Sequence, residues 1–102
     1  MPRERVLIIE DEKLIRWSVK ARLEEEGYAV AEAEDGEKAF EHLARDDYDL
    51  IMLDYRLPDT TGIELLARVR EEMPEISVVM MTAYGTVESA VQAMKLGAFD
   101  YL

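Results

Sequence analysis

Short apolar runs alternate with longer segments of helical periodicity along the whole chain. The apolar runs cover residues 6–9, 28–33, 49–53, 76–81 and 99–102. Three of them, at 6–9, 49–53 and 76–81, are almost continuously apolar, which is typical of strands covered on both faces of a parallel sheet. The run at 28–33 mixes polar and apolar residues and is typical of an edge strand. The pattern therefore predicts five strands separated by helices.

The segments between these runs have the spacing of amphipathic helices and cover residues 12–27, 36–45, 61–73 and 86–97. In the first segment, Ile15, Val19 and Leu23 recur every four residues, which predicts a helix with these side chains against the sheet. Trp17 is expected to pack partly against neighbouring side chains. Thr61 is expected to cap the third helix through its hydroxyl oxygen.

The strict alternation of strands and helices favours a doubly wound α/β fold, because right-handed crossovers between parallel strands place helices on both faces of the sheet. The flavodoxin-like strand order 2-1-3-4-5 is expected, with the first and third strands adjacent where the order reverses. No helical segment follows the fifth run, so we expect the final helix of such a fold to be missing. The sheet face left uncovered is expected to be buried by self-association or rearrangement.

Length and composition limit what the chain can be. With 102 residues and 49% hydrophobic content, residues 1–102 are expected to form a single domain with one core. The net charge of −11 disfavours direct binding to nucleic acid or anionic lipid, since both are polyanions. The chain has no cysteine, and no apolar run is long enough for a signal peptide or a membrane span. A soluble cytoplasmic protein is therefore expected.

Polar side chains follow the three apolar runs that are expected to form the centre of the sheet. Glu10 and Asp11 follow the first run, Asp54 ends the third, and Thr82 follows the fourth. Because the carboxyl ends of strands at the reversal point form the ligand crevice, these side chains are expected to converge. Crowded carboxylates repel one another unless a cation lies among them, and their hard oxygen ligands suit magnesium. The pattern predicts a Mg²⁺ site.

Beside a divalent cation, Asp54 is placed to act as a nucleophile toward a phosphoryl group, which would give an aspartyl phosphate. The hydroxyl of Thr82 and the amide of Ala83 would each hydrogen-bond a phosphoryl oxygen. Taken alone, an acidic residue at a strand end is more often a solvated loop residue. The joint occurrence of such residues at neighbouring strand ends favours a site.

Four motifs carry a resemblance to a known family. They are VLIIEDE with its acidic pair, LIMLDYRLPDTTGIELL with Asp54, VVMMTAYG with Thr82, and KLGAFDYL leading into the fifth run. With these motifs the chain resembles the CheY-like receiver domain of response regulators in two-component signalling. The resemblance covers the whole chain and is closest to the receivers of enhancer-binding transcription activators.

The resemblance implies a role for each matching residue. Asp54 would accept a phosphoryl group from a sensor histidine kinase, and Asp11 and Asp54 would bind Mg²⁺ directly. Glu10 would act on the metal through water, and Arg56 would lend its backbone carbonyl. The protein would be a bacterial signalling domain and not an enzyme, with phosphotransfer only to itself and slow self-catalysed loss of the phosphoryl group.

The resemblance also implies an output. Thr82 and Tyr101 match the switch pair, in which the hydroxyl moves toward the phosphoryl group and the aromatic ring turns inward. The resulting shape change would control a transcription-regulatory output domain, which is absent from this chain. A homodimer through the fourth helix and fifth strand, or through the uncovered sheet face, is the expected mode of self-association.

One contact of the family has no counterpart in this sequence, and two other functions stay open. The chain stops at Leu102, before the lysine that pairs with the phosphoryl group in the family. A magnesium-dependent phosphatase also uses a strand-end aspartate, but it needs a second carboxylate two residues later, where this chain has Arg56. An interaction module that is never phosphorylated would keep the acidic cluster only as a feature of its fold.

Overall fold

The computed structural model describes residues 4–54, 56–81 and 100–101. Its strands are β1 (Arg5–Ile9), β2 (Ala29–Ala33), β3 (Leu50–Asp54), β4 (Ser77–Met81) and β5 (Asp100–Tyr101), and its helices are α1 (Lys13–Glu25), α2 (Gly36–Arg45) and α3 (Gly62–Glu72). Each of the five predicted runs therefore contains a strand. The helix predicted at 86–97 lies outside the described residues.

The strands form one parallel sheet in the order β2-β1-β3-β4-β5, which confirms the predicted topology. β2 lies at an edge, as its mixed sequence predicted. In the register of the sheet, Ile9 at the end of β1 pairs with both Ala33 and Leu53. The carboxyl ends of β1 and β3 are therefore level with each other, and the residues that follow β1 emerge beside Asp54.

One face of the sheet packs against α2 and α3 and holds the main core. The buried apolar side chains of this core come mainly from β1, β3 and β4 and from the two helices, and they include Leu7, Ile9, Ala39, Ile51, Leu53, Leu65, Leu66, Val69, Val78 and Met80. Burial of each large aliphatic side chain contributes about 1.5–3 kcal/mol. This core supports the strand ends that carry the acidic residues.

Two of the described helices, α2 and α3, begin at a side-chain cap, whereas α1, whose N-cap residue is Glu12, begins without one. Asp35 accepts a hydrogen bond from the N–H of Lys38 at the start of α2, at 2.8 Å. Thr61 accepts one from the N–H of Glu64 at the start of α3, at 3.2 Å, which confirms the predicted cap. Within the described parts of the chain, no helix combines the length and the apolar content needed to cross a membrane.

The stripe of α1 that faces the sheet differs from the predicted one. Ile15 is 42% exposed and Trp17 is 63% exposed, so the packing predicted for both was wrong. A repeat of four residues drifts by about 40° per step around a helix of 3.6 residues per turn, which turns Ile15 away from the sheet. The partly buried side chains of α1 instead recur at positions i, i+3, i+4 and i+7 and are Arg16, Val19, Lys20 and Leu23. Two of these are cations, which pair with Glu32 of β2.

Candidate metal and phosphoacceptor site

Three carboxylates from two strand ends meet at the carboxyl edge of the sheet. Glu10, Asp11 and Asp54 each place a carboxylate oxygen within 4.8 Å of the other two. Glu10 and Asp54 are buried, whereas Asp11 is exposed. The predicted convergence of the three carboxylates is confirmed, whereas Thr82, which was expected beside them, lies outside the described residues. The exposed position of Asp11 leaves this acidic cluster accessible to solvent on one side.

Folding raises the pKa of Glu10 from 4.5 to about 7. Burial of the carboxyl group has the largest effect, and the charges of Asp54 and Asp11 and a hydrogen bond with Asp54 act in the same direction. The N–H of Glu12 donates to Glu10 Oε1 at 3.0 Å and opposes the rise in the pKa. In its neutral form the carboxyl group of Glu10 donates to Asp54. A proton can therefore hold these two side chains together near neutral pH.

A guanidinium group of α1 holds the main chain at the start of the acidic cluster. Arg16 Nη1 donates to the backbone oxygen of Glu10 at 2.8 Å, and Arg16 Nε donates to Glu32 Oε1 at 3.2 Å. Lys20 Nζ donates to the other carboxylate oxygen of Glu32 at 3.3 Å. Because the side chain of Arg16 is only 14% exposed, these bonds are partly shielded from water. The network fixes the backbone of Glu10 relative to α1 and β2.

The loop between β3 and α3 closes on itself beside Asp54. Arg56 and Thr61 form an antiparallel bridge, and the N–H of Leu57 donates to the carbonyl of Thr60 at 3.2 Å. The side chain of Thr61 caps α3 at the far end of the loop. Arg56, two residues after Asp54, therefore has a defined backbone position, although the residue as a whole is exposed.

The other predicted site residues are not part of this described cluster. Thr82 and Ala83 lie outside the described residues, so the roles predicted for them stay predictions. Tyr101 lies in β5, where its backbone pairs with that of Met80 in β4. The role of Tyr101 in switching also stays a prediction.

Two residues whose polar contacts lie close to the site were not predicted from the sequence, Arg16 and Asp59. Arg16 lies on the helix face that contacts the sheet, but a search for apolar periodicity passes over a cation. Asp59 follows Pro58 in the loop after β3, where an aspartate is a common turn and capping residue. That signal does not say which backbone groups the carboxylate binds. In the fold they belong to α2.

The fold and the acidic cluster define a class of protein, a doubly wound α/β domain with carboxylates where its strand order reverses. Residues 6–102 match the family described as response regulator receiver domain. The chain belongs to this family.

Relatives of the chain include regulators of transcription. The chain is 39% identical over its full length to the response regulator protein PilR of Pseudomonas aeruginosa, of which it covers 23%. It is 42% identical, over 96% of its length, to the alginate biosynthesis transcriptional regulatory protein AlgB of the same organism, of which it covers 22%. The chain thus spans less than a quarter of the length of either relative.

Solved structures of response regulators have the same fold. A CheY-like receiver domain protein from Methanospirillum hungatei matches with a TM-score of 0.94 and 32% identity, over 99% of this chain and 81% of that one. The response regulator TrrA of Thermotoga maritima, in complex with Mg²⁺-BeF, matches with a TM-score of 0.87 and 32% identity, over 97% and 84% of the two chains. A Burkholderia pseudomallei response regulator with a phosphorylated aspartic acid and a calcium ion matches with a TM-score of 0.90 and 29% identity, over 97% and 58%.

Proposed function

We propose that the chain is the phosphoacceptor module of a two-component response regulator, in which Asp54 takes a phosphoryl group from a sensor histidine kinase. The observation that carries this proposal is the position of Asp54, which is buried at a strand end within 4.8 Å of carboxylate oxygens of Glu10 and Asp11. Two proteins of the same fold were solved with a phosphorylated aspartic acid or with Mg²⁺-BeF, which supports the proposal.

The donor set fits Mg²⁺. All three side chains of the acidic cluster offer carboxylate oxygens, which are hard ligands, and the exposed side of the cluster leaves room for water and phosphoryl oxygens. When bound there, Mg²⁺ would neutralise charge on the attacking carboxylate and on the phosphoryl oxygens. We assign direct contacts to Asp11 and Asp54, a contact through water to Glu10, and a backbone carbonyl contact to Arg56.

The chain's own residues carry out the transfer. A carboxylate oxygen of Asp54 attacks phosphorus, the P–N bond to the kinase histidine breaks, and the histidine nitrogen keeps the bonding electron pair. Hydrolysis later breaks the P–O bond to Asp54 and restores the carboxylate. Because Asp54 is only 5% exposed, its surroundings limit the approach of water and make this second step slow.

The proposed output is a shift between two conformations of the domain. The hydroxyl of Thr82 and the amide of Ala83 hold phosphoryl oxygens, and Tyr101 responds to the movement of Thr82. A change from mostly one conformation to mostly the other requires about 5.5 kcal/mol of differential stabilisation. Residues 1–102 would act as one cytoplasmic receiver domain that controls a transcription-regulatory domain and turns over no external substrate.

Intact mass spectrometry after incubation with acetyl phosphate and Mg²⁺ tests this function. We expect the native chain to gain one phosphoryl group and Asp54→Asn to gain none. Asp47→Asn, which changes an exposed aspartate near the amino end of β3, should still gain one. An equal gain in Asp54→Asn, or no gain in the native chain, contradicts the proposal. Release of many equivalents of phosphate from a generic phosphate ester would instead identify a phosphatase.

A further inference from the structure

Asp59 connects the loop that follows Asp54 to a helix that precedes it in the chain. Its Oδ1 accepts a hydrogen bond from the N–H of Gly36 at 2.8 Å, and its Oδ2 accepts one from the N–H of Glu37 at 3.0 Å. These N–H groups open α2 and have no partner within the helix, and the helix dipole favours a carboxylate there. The hydrogen bond from Gly36 is the main reason why the pKa of Asp59 is lowered. The loop and the helix are thus joined by two charge-assisted hydrogen bonds.

α2 has a cap of its own and does not need Asp59 to begin. Asp35 is its N-cap residue and accepts a hydrogen bond from the N–H of Lys38 at 2.8 Å. Capping by the residue directly before the helix is the usual arrangement. The second carboxylate comes from a loop 23 residues further along the chain, so its bonds constrain the loop as well as the helix.

The loop also packs tightly against the start of α2. A Cβ atom added at Gly36 would lie 2.8 Å from Thr60 Cγ2 and 3.3 Å from Asp59 Oδ1, so the side chain of Thr60, or the loop that carries it, would have to move to accept it. The hydroxyl of Thr60 donates to Glu64 Oε2 at 3.0 Å, which limits rotation of that side chain. The contact therefore leaves the loop little freedom to shift relative to α2.

Backbone contacts connect the tip of this loop to the residues that follow Asp54. Asp59 lies inside the turn that is closed by the hydrogen bond from the N–H of Leu57 to the carbonyl of Thr60. The residues on either side of this turn, Arg56 and Thr61, form an antiparallel bridge. Arg56 is two residues from Asp54. The tip is therefore joined by backbone contacts to Arg56, the first described residue after Asp54.

We infer that Asp59 is a positioning residue for the phosphoacceptor site: it ties the loop that leaves Asp54 to the first turn of α2 and couples Mg²⁺ binding to that turn. The inference rests on the proposed function of the acidic cluster as a Mg²⁺ site. Asp59 itself touches neither the metal nor the phosphoryl group. It acts through the backbone of residues 56–61.

Calorimetric titration of the full chain with Mg²⁺ tests this role. In Asp59→Ala we expect the dissociation constant for Mg²⁺ to rise roughly threefold to tenfold, less than the roughly 10–100-fold seen when a residue that directly orients a metal ligand is removed, because Asp59 acts through the loop backbone. Asp59→Asn keeps one acceptor oxygen, so its dissociation constant for Mg²⁺ should lie between those of the native chain and Asp59→Ala. Asp35→Ala is the matched control, because it removes a cap from the same helix without touching the loop. It should lower the melting temperature as Asp59→Ala does and leave Mg²⁺ affinity unchanged.

Amide resonances of α2 provide a readout that needs no phosphorylation. Addition of Mg²⁺ should shift the amide signals of Gly36 and Glu37 in the native chain and in Asp35→Ala, and this response should be lost in Asp59→Ala. Gly36→Ala disturbs the same junction from the helix side. At an ordinary helix start alanine is neutral or stabilising, whereas here it should weaken Mg²⁺ binding as Asp59→Ala does.

The outcomes separate this inference from the proposed function. If Asp59→Ala and Asp35→Ala bind Mg²⁺ equally well, Asp59 is only a structural cap and the inference is overturned. If Mg²⁺ binding follows the expected order but Asp54 is never phosphorylated, the positioning role stands and the phosphoacceptor function fails. If the native chain binds no Mg²⁺, both fail. Should Asp59→Ala not fold, Asp59→Asn compared with Asp35→Asn decides the question.

Discussion

Glu10 shows at the residue scale how strongly the fold changes the chemistry of one side chain. Its pKa rises from 4.5 to about 7, mainly through burial, so between these values the native protein holds a proton that the unfolded chain has released. A raised pKa means that the stability contributed by Glu10 is fully present below pH 4.5 and is lost as the pH rises through about 7.

Glu10→Gln should remove this pH dependence in metal-free protein, because glutamine stays neutral at every pH and its amide oxygen can still accept from the N–H of Glu12. At each pH the free energy of unfolding of the native chain is subtracted from that of Glu10→Gln. We expect this difference to increase by about 1–2 kcal/mol between pH 5 and pH 8. Urea denaturation at several pH values with a chelator measures the difference. Glu41→Gln, at an exposed position of α2, should show no such trend. Parallel curves for the native chain and Glu10→Gln contradict the prediction.

The helices differ at the element scale in how they contact the sheet. α3 buries Leu65, Leu66 and Val69 in the core, whereas α1 has no buried residue and leaves Leu14 71% exposed. α1 is held instead by Arg16 and by aliphatic side chains that are only half-buried. The two helices have similar apolar content along the chain, but only α3 contributes strongly to the core.

The same substitution should therefore have very different effects in the two helices. Leu66→Ala should lower the free energy of unfolding by about 2–5 kcal/mol, because it leaves a cavity in the core. Leu14→Ala should change it by less than about 0.5 kcal/mol, because the side chain is already mostly in water. Chemical denaturation followed by circular dichroism measures both. Similar losses for the two variants would mean that α1 packs more closely than its exposure indicates.

The whole molecule carries a net charge of −11, with 23 acidic against 12 basic residues. Mutual repulsion among these charges destabilises the compact state. The described surface ion pairs, such as that between Arg68 and Glu72, act in the opposite sense, but exposed pairs are worth only about 0–1 kcal/mol each. Repulsion is therefore expected to dominate the response of the whole fold to salt.

Sodium chloride should stabilise the metal-free protein. Between roughly 10 mM and 150 mM salt the screening length falls from about 30 Å to about 8 Å, so we expect the melting temperature to rise by several degrees. Glu25→Lys, which replaces an exposed negative charge at the end of α1 with a positive one, should raise the melting temperature at low salt and reduce its dependence on salt. A melting temperature that falls with added salt would show that the ion pairs dominate.

Local sequence patterns were sufficient for much of the fold. Apolar runs and the cap at Thr61 are properties of neighbouring residues, and the structure bears them out. The convergence of Glu10, Asp11 and Asp54 could also be predicted from the sequence, because the strand order and the positions of the strand ends together bring those residues to one edge of the sheet. The expected homodimer stays a prediction.

The sequence by itself determined where strands and helices form and which carboxylates stand at strand ends, because hydrophobic periodicity and chain breaks act over a few residues. Only the tertiary structure decided that Arg16 holds the backbone of Glu10, that Ile15 faces solvent, and that Asp59 binds the first turn of α2. Such contacts join polar groups far apart in the chain. Their partners depend on the rotation of each helix about its axis and on the position of each loop relative to the sheet, and no local sequence pattern specifies these.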